Sequence, residues 1–375
     1  MATGLPNRPA IRPRPRGKSF CLGWGRIARW AGQHETRAAA PLTLHDRRPR
    51  GAARRRSPRF LTMETIGRAA LWSFIGAGTE ARPATNTEIR KHAGCRVETF
   101  LELARKVAEL QYRNRDHVLL FRGQSADFLN KEGNTTLKPS LFRPLAGHGL
   151  NPDSALLARR FATLARAEQE LLRRYDPQHF RLGGTRLKRQ RILRWALLQH
   201  YEVCPTPLLD VTHSLRIAAS FASIGATGEA FLFVVGVPNL SGAVTASAES
   251  GLQILRLSSV CPPTAVRPHI QEGYLLGEYP EMGDCEQKDN YQHYEIDFGR
   301  RLVAKFTFDP ARFWKGEKAF PKVPVEALYP NAGDPIHALA QTVKDALGRE
   351  TPPAKRGKRV AGTLRETLKS SPAET

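Results

Sequence analysis

Several residues with acid–base or anion-binding chemistry stand where apolar segments end. Arg122 follows Val118-Leu119-Leu120-Phe121 and precedes Gly123. A buried strand ending this way carries its last side chain to a sheet edge, where a planar guanidinium suits a phosphate or carboxylate. The glycine lets the backbone turn sharply or lets a ligand approach closely. Equally open is a buried arginine that clamps a loop by pairing with an acid such as Asp210. His200 closes the run from Ile192 and is followed by a turn holding Pro205 and Pro207. It titrates near neutrality and could act as a general base, or it could cap a helix end, where partial negative charge favours it. Asp210 and Thr212 are two positions apart, so in extended backbone they share a side. Ser214 then opens a short segment ending in Ala218, Phe221 and Ala222. Asp, Thr and Ser there also suit an ordinary helix cap, and a helix start that is capped can bind an anion as well.

The elements that must position these groups follow from apolar periodicity. Val97, Phe100, Leu101, Ala104, Val107 and Leu110 recur at helical spacing, which predicts a helix over 97–113. Further helices are predicted over 153–174, 192–200, 215–221 and 335–347. Strands are predicted over 118–121, 231–237, 254–257 and 302–308. Helices mostly precede a late set of strands, so the fold class expected is α+β: a single mixed domain with a central sheet flanked by helices.

Charge is unevenly placed. Of the net +23, residues 1–62 carry +13 and residues 349–375 carry +4, leaving +6 for residues 63–348. The ends are rich in Arg, Pro, Lys and Ser and poor in apolar periodicity, so both are expected to be disordered. The organisation expected is a disordered Arg/Pro-rich extension (1–62), a loosely attached lead-in (63–92), one domain (93–348) and a basic tail (349–375). Three readings of the extension stay open: a nucleic-acid-binding arm, a transit peptide, or a translated upstream region before Met63. The stretch Arg186–Arg191 reads as a solvated helix start. Five cysteines without a CxxC pair suggest a reducing compartment, and cytoplasmic localisation is expected. No apolar run approaches the ~20 residues of a membrane span, so no membrane contact is expected. No metal site is expected either, because neither HExxH nor paired-cysteine spacing occurs.

Phe121-Arg122-Gly123-Gln124-Ser125, Leu137-x-Pro-Ser-Leu-x-Arg143, Gln199-His200-Tyr201 and Leu208-Leu209-Asp210-x-Thr212 with Ala218-x-x-Phe221-Ala222 occur in that order. Together they resemble the FRG domain, a family named for its Phe-Arg-Gly motif, over about residues 93–347. Arg267-Pro-His-Ile-Gln271-Glu272-Gly273 and Leu328-Tyr329-Pro330 resemble its later segments. The chain departs from the family pattern at Glu202, where a Gly commonly follows the His-Tyr pair, and at Pro207, where a basic residue is frequent. The family resembles parts of bacterial defence or toxin systems. A fainter resemblance is to ADP-ribosyltransferases, which carry an Arg at a strand end, a Ser-Thr-Ser strand before an Ala-x-x-Phe-Ala helix, and a catalytic Glu. That resemblance implies an ADP-ribosyltransferase-like fold and NAD as co-substrate. Arg122 would then hold a cofactor phosphate, Gly123, Asp210, Thr212 and Ser214 would lie against the cofactor, and Glu272, with Gln271 and His200, would serve catalysis. The alternatives are a non-catalytic module that binds a nucleotide or another phosphate-bearing ligand, and a nucleic-acid-associating protein acting through its basic ends.

Overall fold

The longest apolar run, Ala230–Val237, is buried along almost its whole length. A strand reads as a continuous hydrophobic run when both its faces are covered, and this one lies inside a sheet. The computed structural model describes residues 66, 71–76, 80–144, 151–180, 184–289 and 296–349. The expectations for residues 1–62 and 350–375 lie outside them.

Ten strands are present among the described residues: β1 (Leu71–Ser73), β2 (Arg82–Ala84), β3 (Cys95–Arg96), β4 (Val118–Gln124), β5 (Leu209–Thr212), β6 (Ala230–Val237), β7 (Val244–Ser247), β8 (Leu252–Arg256), β9 (Gly273–Glu278) and β10 (Leu302–Phe308). β1 and β2 form a hairpin, and the other eight form one mixed sheet in the order β3-β10-β6-β4-β5-β9-β8-β7. Only the β3–β10 pair is parallel. The principal helices are α1 (Phe100–Arg113), α2 (Ser154–Arg174), α3 (Arg191–His200), α4 (Leu215–Ala222) and α5 (Pro335–Arg349). The fold is α+β, with a central sheet flanked by helices, as expected. No helix of the described residues is long and apolar enough to cross a membrane.

Local sequence accounts for the helix boundaries. The Thr99 side chain accepts from Glu102 N at the start of α1, and that of Asp153 accepts from Leu156 N at the start of α2, each satisfying an orphan amide of the first turn. α1 buries Phe100, Leu103, Val107 and Leu110, one stripe at helical spacing. α3 ends in a Schellman arrangement: Val203 N donates to Leu198 O (2.8 Å) and Glu202 N to Gln199 O (3.0 Å). This places Glu202 at φ 54°, in the left-handed region, and accounts for a glycine being usual at that position.

The segment expected as a lead-in is tied to the same body. Phe74 and Ile89 are buried, and Asn86 Nδ2 donates to the carbonyls of Gly299 (3.1 Å) and Leu302 (2.9 Å). Strands of three residues are too short for two-residue alternation to register in sequence. β9 also escaped that reading, since Tyr274-Leu275-Leu276-Gly277 shows no alternation.

Candidate functional site

The sheet is weakest where its two halves meet. β4 pairs with β6 along its full length, from Val118↔Val237 to Gln124↔Phe231, and β5 pairs with β9 from Leu209↔Leu276 to Thr212↔Gly273. Between β4 and β5, by contrast, the ladder holds the single pair Phe121↔Thr212. A cavity of about 210 Å³ opens beside this joint. Phe121, Arg122 and Gly123 line it from β4, and Asp210, Val211 and Thr212 from β5. Gln199 and His200 reach it from the end of α3, Ala218 and Phe221 from α4, and Glu202, Arg267, Gln271 and Tyr329 from connecting segments. Arg122, His200, Asp210 and Thr212 therefore converge.

Arg122 Nη1 donates to the main-chain carbonyl of Asp210 (2.5 Å), tying β4 to β5 where the ladder is thin. Its Nε is buried with no partner among the described residues. Burial, helped by the nearby positive charge of Arg143 and opposed by Asp210, lowers the guanidinium pKa to about 10, so it stays charged at neutral pH. The carboxylate of Asp210 is taken instead by Gln199, whose Nε2 donates to Oδ2 (2.5 Å). Gln199 cannot present its amide the other way round, because the ionised carboxylate only accepts; its Oε1 accepts from Thr206 Oγ1 (2.5 Å) and Ser140 Oγ (3.3 Å). The Pro-Ser-Leu motif thus acts on the site through Ser140, which orients Gln199 toward Asp210.

His200 is 3% exposed. Its Nδ1 lies 3.9 Å from Asp210 Oδ1, beyond hydrogen-bond range, and its Nε2 is buried without a partner among the described residues. Burial lowers its pKa more than Asp210 raises it, so it is neutral at pH 7. Burial opposes ionisation of Asp210, but the charge that His200 gains as pH falls, together with Arg122 and Gln199, outweighs it and holds the carboxyl below the usual aspartate range. The Asp210 side chain is 40% exposed, on the cavity side.

Not every expected site residue works as the sequence suggested. Gly123 lines the cavity, but its missing side chain serves α4: a Cβ there would stand 1.9 Å from Ala218 O and 2.6 Å from Ala222 N. The close approach is that of a helix backbone, not of a ligand. Thr212 Oγ1 donates to Gln271 O (2.7 Å) and accepts from Ser214 N (3.0 Å), so its hydroxyl shapes the turn into α4. Ser214 is the N-cap residue of α4 and makes no side-chain cap bond, nor does it line the cavity. Gln271 lines it, with Nε2 donating to Leu328 O (2.8 Å). Glu272 corrects the expectation most sharply. Its side chain is exposed and outside the cavity, while its backbone is engaged: the carbonyl accepts from His213 N (3.2 Å) and the N–H donates to His269 O (3.2 Å). At φ 45° it sits at a left-handed turn just before β9, which sends its neighbours inward and its own side chain to the surface.

Sequence reasoning missed Arg267, Tyr329 and Glu202 as a unit. The Arg267 guanidinium stacks 4.4 Å from the Tyr329 ring centroid, and its Nη2 meets Glu202 Oε1 at 2.7 Å. Its Nε is buried without a partner among the described residues. Asp334 fixes the surrounding backbone, accepting from Arg267 N (3.0 Å) and Tyr201 OH (2.7 Å). The one sequence signal was the departure at Glu202.

The family model described as FRG domain matches residues 117–229. The chain therefore carries an FRG domain, and β4, α2, α3, β5 and α4 fall inside the match. Arg267, Gln271 and Tyr329, which complete the cavity, lie beyond it. No curated protein and no solved structure matches the chain.

Proposed function

We propose that the cavity binds the phosphate-bearing part of a nucleotide-type ligand, with NAD as the first candidate. The observation that carries this reading is the Arg122 guanidinium, charged, half-buried and left with a buried Nε that has no partner among the described residues. An unpaired buried donor of this kind carries a desolvation penalty that an anion would relieve. The volume of about 210 Å³ is below the ~300–1,000 Å³ usual for drug-sized ligands. It suits one nucleotide half, with the remainder outside the mouth.

A second reading, ADP-ribosyl transfer or NAD hydrolysis, is favoured by Asp210. Departure of nicotinamide leaves positive charge on the ribose, and an ionised carboxylate fixed at the cavity stabilises such charge as it develops. In this reading Asp210 does what the resemblance assigned to Glu272, and neutral His200 is available to take the acceptor's proton.

Calorimetric titration with NAD, AMP and ADP-ribose, together with a nicotinamide-release assay, separates the two readings. Arg122→Ala is expected to weaken binding at least tenfold under either, and unchanged affinity would sink both. Nicotinamide release that is lost in Asp210→Asn with binding retained, and that persists in Glu272→Gln, establishes transfer chemistry. Binding without release under any acceptor condition leaves the binding module.

A further inference from the structure

We propose that Arg267 is a second anion subsite of the cavity, one that takes the second phosphate of a diphosphate-bearing ligand, and that Glu202 is a resident carboxylate competing for it. The inference rests on the reading of Arg122 as the first phosphate contact. Arg267 is 6% exposed and lines the same cavity as Arg122. Its backbone is fixed by Asp334 and its guanidinium plane by Tyr329, so it is preorganised before any ligand arrives. Its Nε is buried with no partner among the described residues, so the fork is half used: Nη2 holds Glu202, and the adjoining donor is open.

Glu202 has the properties of a displaceable occupant. Its side chain is 62% exposed while that of Arg267 is 7% exposed. The carboxylate therefore reaches in from solvent and gives up little when it swings back out, since half-exposed ion pairs are weak. A phosphate offers the same guanidinium more charge and a bidentate geometry. Glu202 is also the helix-terminating residue in the left-handed region, a place that supplies no energetic reason for a glutamate. Its interaction with Arg267 is what the side chain contributes.

The experiment is calorimetric titration of the full chain with inorganic phosphate and inorganic pyrophosphate. The variants are Glu202→Gln, Glu202→Gly, Arg122→Ala and, as a control for charge alone, Glu272→Gln. Glu272 is exposed and flanked by two cavity-lining residues, so its neutralisation removes the same charge without touching Arg267. Glu202→Gln and Glu202→Gly are expected to raise the pyrophosphate-to-phosphate affinity ratio at least fivefold, with Glu272→Gln within twofold of wild type. Melting temperatures confirm folding, and the glycine variant is expected to melt no lower than wild type. An unchanged ratio in both Glu202 variants, or an equal rise in Glu272→Gln, overturns the inference. Loss of binding in Arg122→Ala without gain in the Glu202 variants sinks this inference alone. Equal binding by wild type and Arg122→Ala, with a gain in Glu202→Gln, sinks the reading of Arg122 and with it the assignment of Arg267 to a second phosphate, leaving only the competition between Glu202 and an anion at Arg267. Failure of every variant to bind either probe overturns both.

Discussion

The two ends of α3 handle buried polar groups in opposite ways. At its start, Glu168 of α2 is 7% exposed, and both carboxylate oxygens are used. Oε1 accepts from Trp195 Nε1 (2.8 Å) and Oε2 from Arg194 Nε (2.6 Å). Arg194 Nη1 turns to the carbonyls of Leu187 (2.8 Å) and Lys188 (3.0 Å). At the other end of the helix, Gln199 and His200 face a cavity where His200 Nε2, Arg122 Nε and Arg267 Nε have no partner among the described residues. A closed network fixes how two helices pack. An open one keeps interaction energy in reserve for a ligand, and unsatisfied buried polar atoms in a native structure call for such an explanation. The same helix supplies both because its apolar stripe, Ile192, Leu193, Ala196 and Leu197, is buried along its length and holds the two ends rigidly apart.

The comparison breaks first at Glu168. Glu168→Ala strips the acceptor from a largely buried arginine and a buried indole, and breaking a buried pair costs about 3–5 kcal/mol. Chemical denaturation is the measurement. Arg122→Ala at the open end is expected to lose no more than about 1.5 kcal/mol, the scale of one hydrogen bond, although it weakens ligand binding. If Arg122→Ala destabilises as much as Glu168→Ala, the cavity end is structural and the contrast is false.

Gly123→Ala tests the wall between the two regions. Its Cβ would collide with the α4 backbone, and overpacking of this kind costs about 1–3 kcal/mol. Ligand affinity should fall along with stability, because α4 carries Ala218 and Phe221 into the cavity lining. A Gly123→Ala protein with wild-type stability would mean that α4 is free to shift, so that the close approach does not fix the cavity.

The smallest effect is the response to pH. His200 has a depressed pKa when folded, so its contribution to stability is fully present above the ordinary histidine value of 6.5 and is lost as pH falls through the lower folded value. The melting temperature should fall between pH 7 and pH 5. The fall should be smaller in His200→Gln but not absent, since burial depresses His92 and His117 as well. An equally steep fall in His200→Gln would show that the cavity end does not titrate as the structure implies.

Much of the fold was legible because its helices and central strands are periodic. The helix expected over 153–174 is α2, and the strand expected over 302–308 is β10. The hairpin β1–β2 and strand β9 were not legible, because three-residue strands and an unalternating run give no periodic signal. In the site, Arg122, His200, Asp210 and Thr212 were legible as polar groups closing apolar segments, and they do converge. Their bonding was not. Whether the Asp210 carboxylate meets Arg122 or Gln199 depends on Ser140 and Thr206, which lie 59 and 7 positions from Gln199.

By itself the sequence determined which side chains stand at the ends of buried elements, since burial periodicity is a local property of the chain. It also placed Gly123, and separately the small residues Ala218 and Ala222, in ordered motifs that resemble the FRG domain. Only the tertiary structure decided what they are for. The distance between β4 and α4 makes Gly123 a packing requirement, and a left-handed turn sends Glu272 outward. The second left-handed residue, Glu202, is brought onto Arg267, 65 positions away. Each of these depends on backbone direction and on partners distant in sequence, which residue type and spacing do not encode.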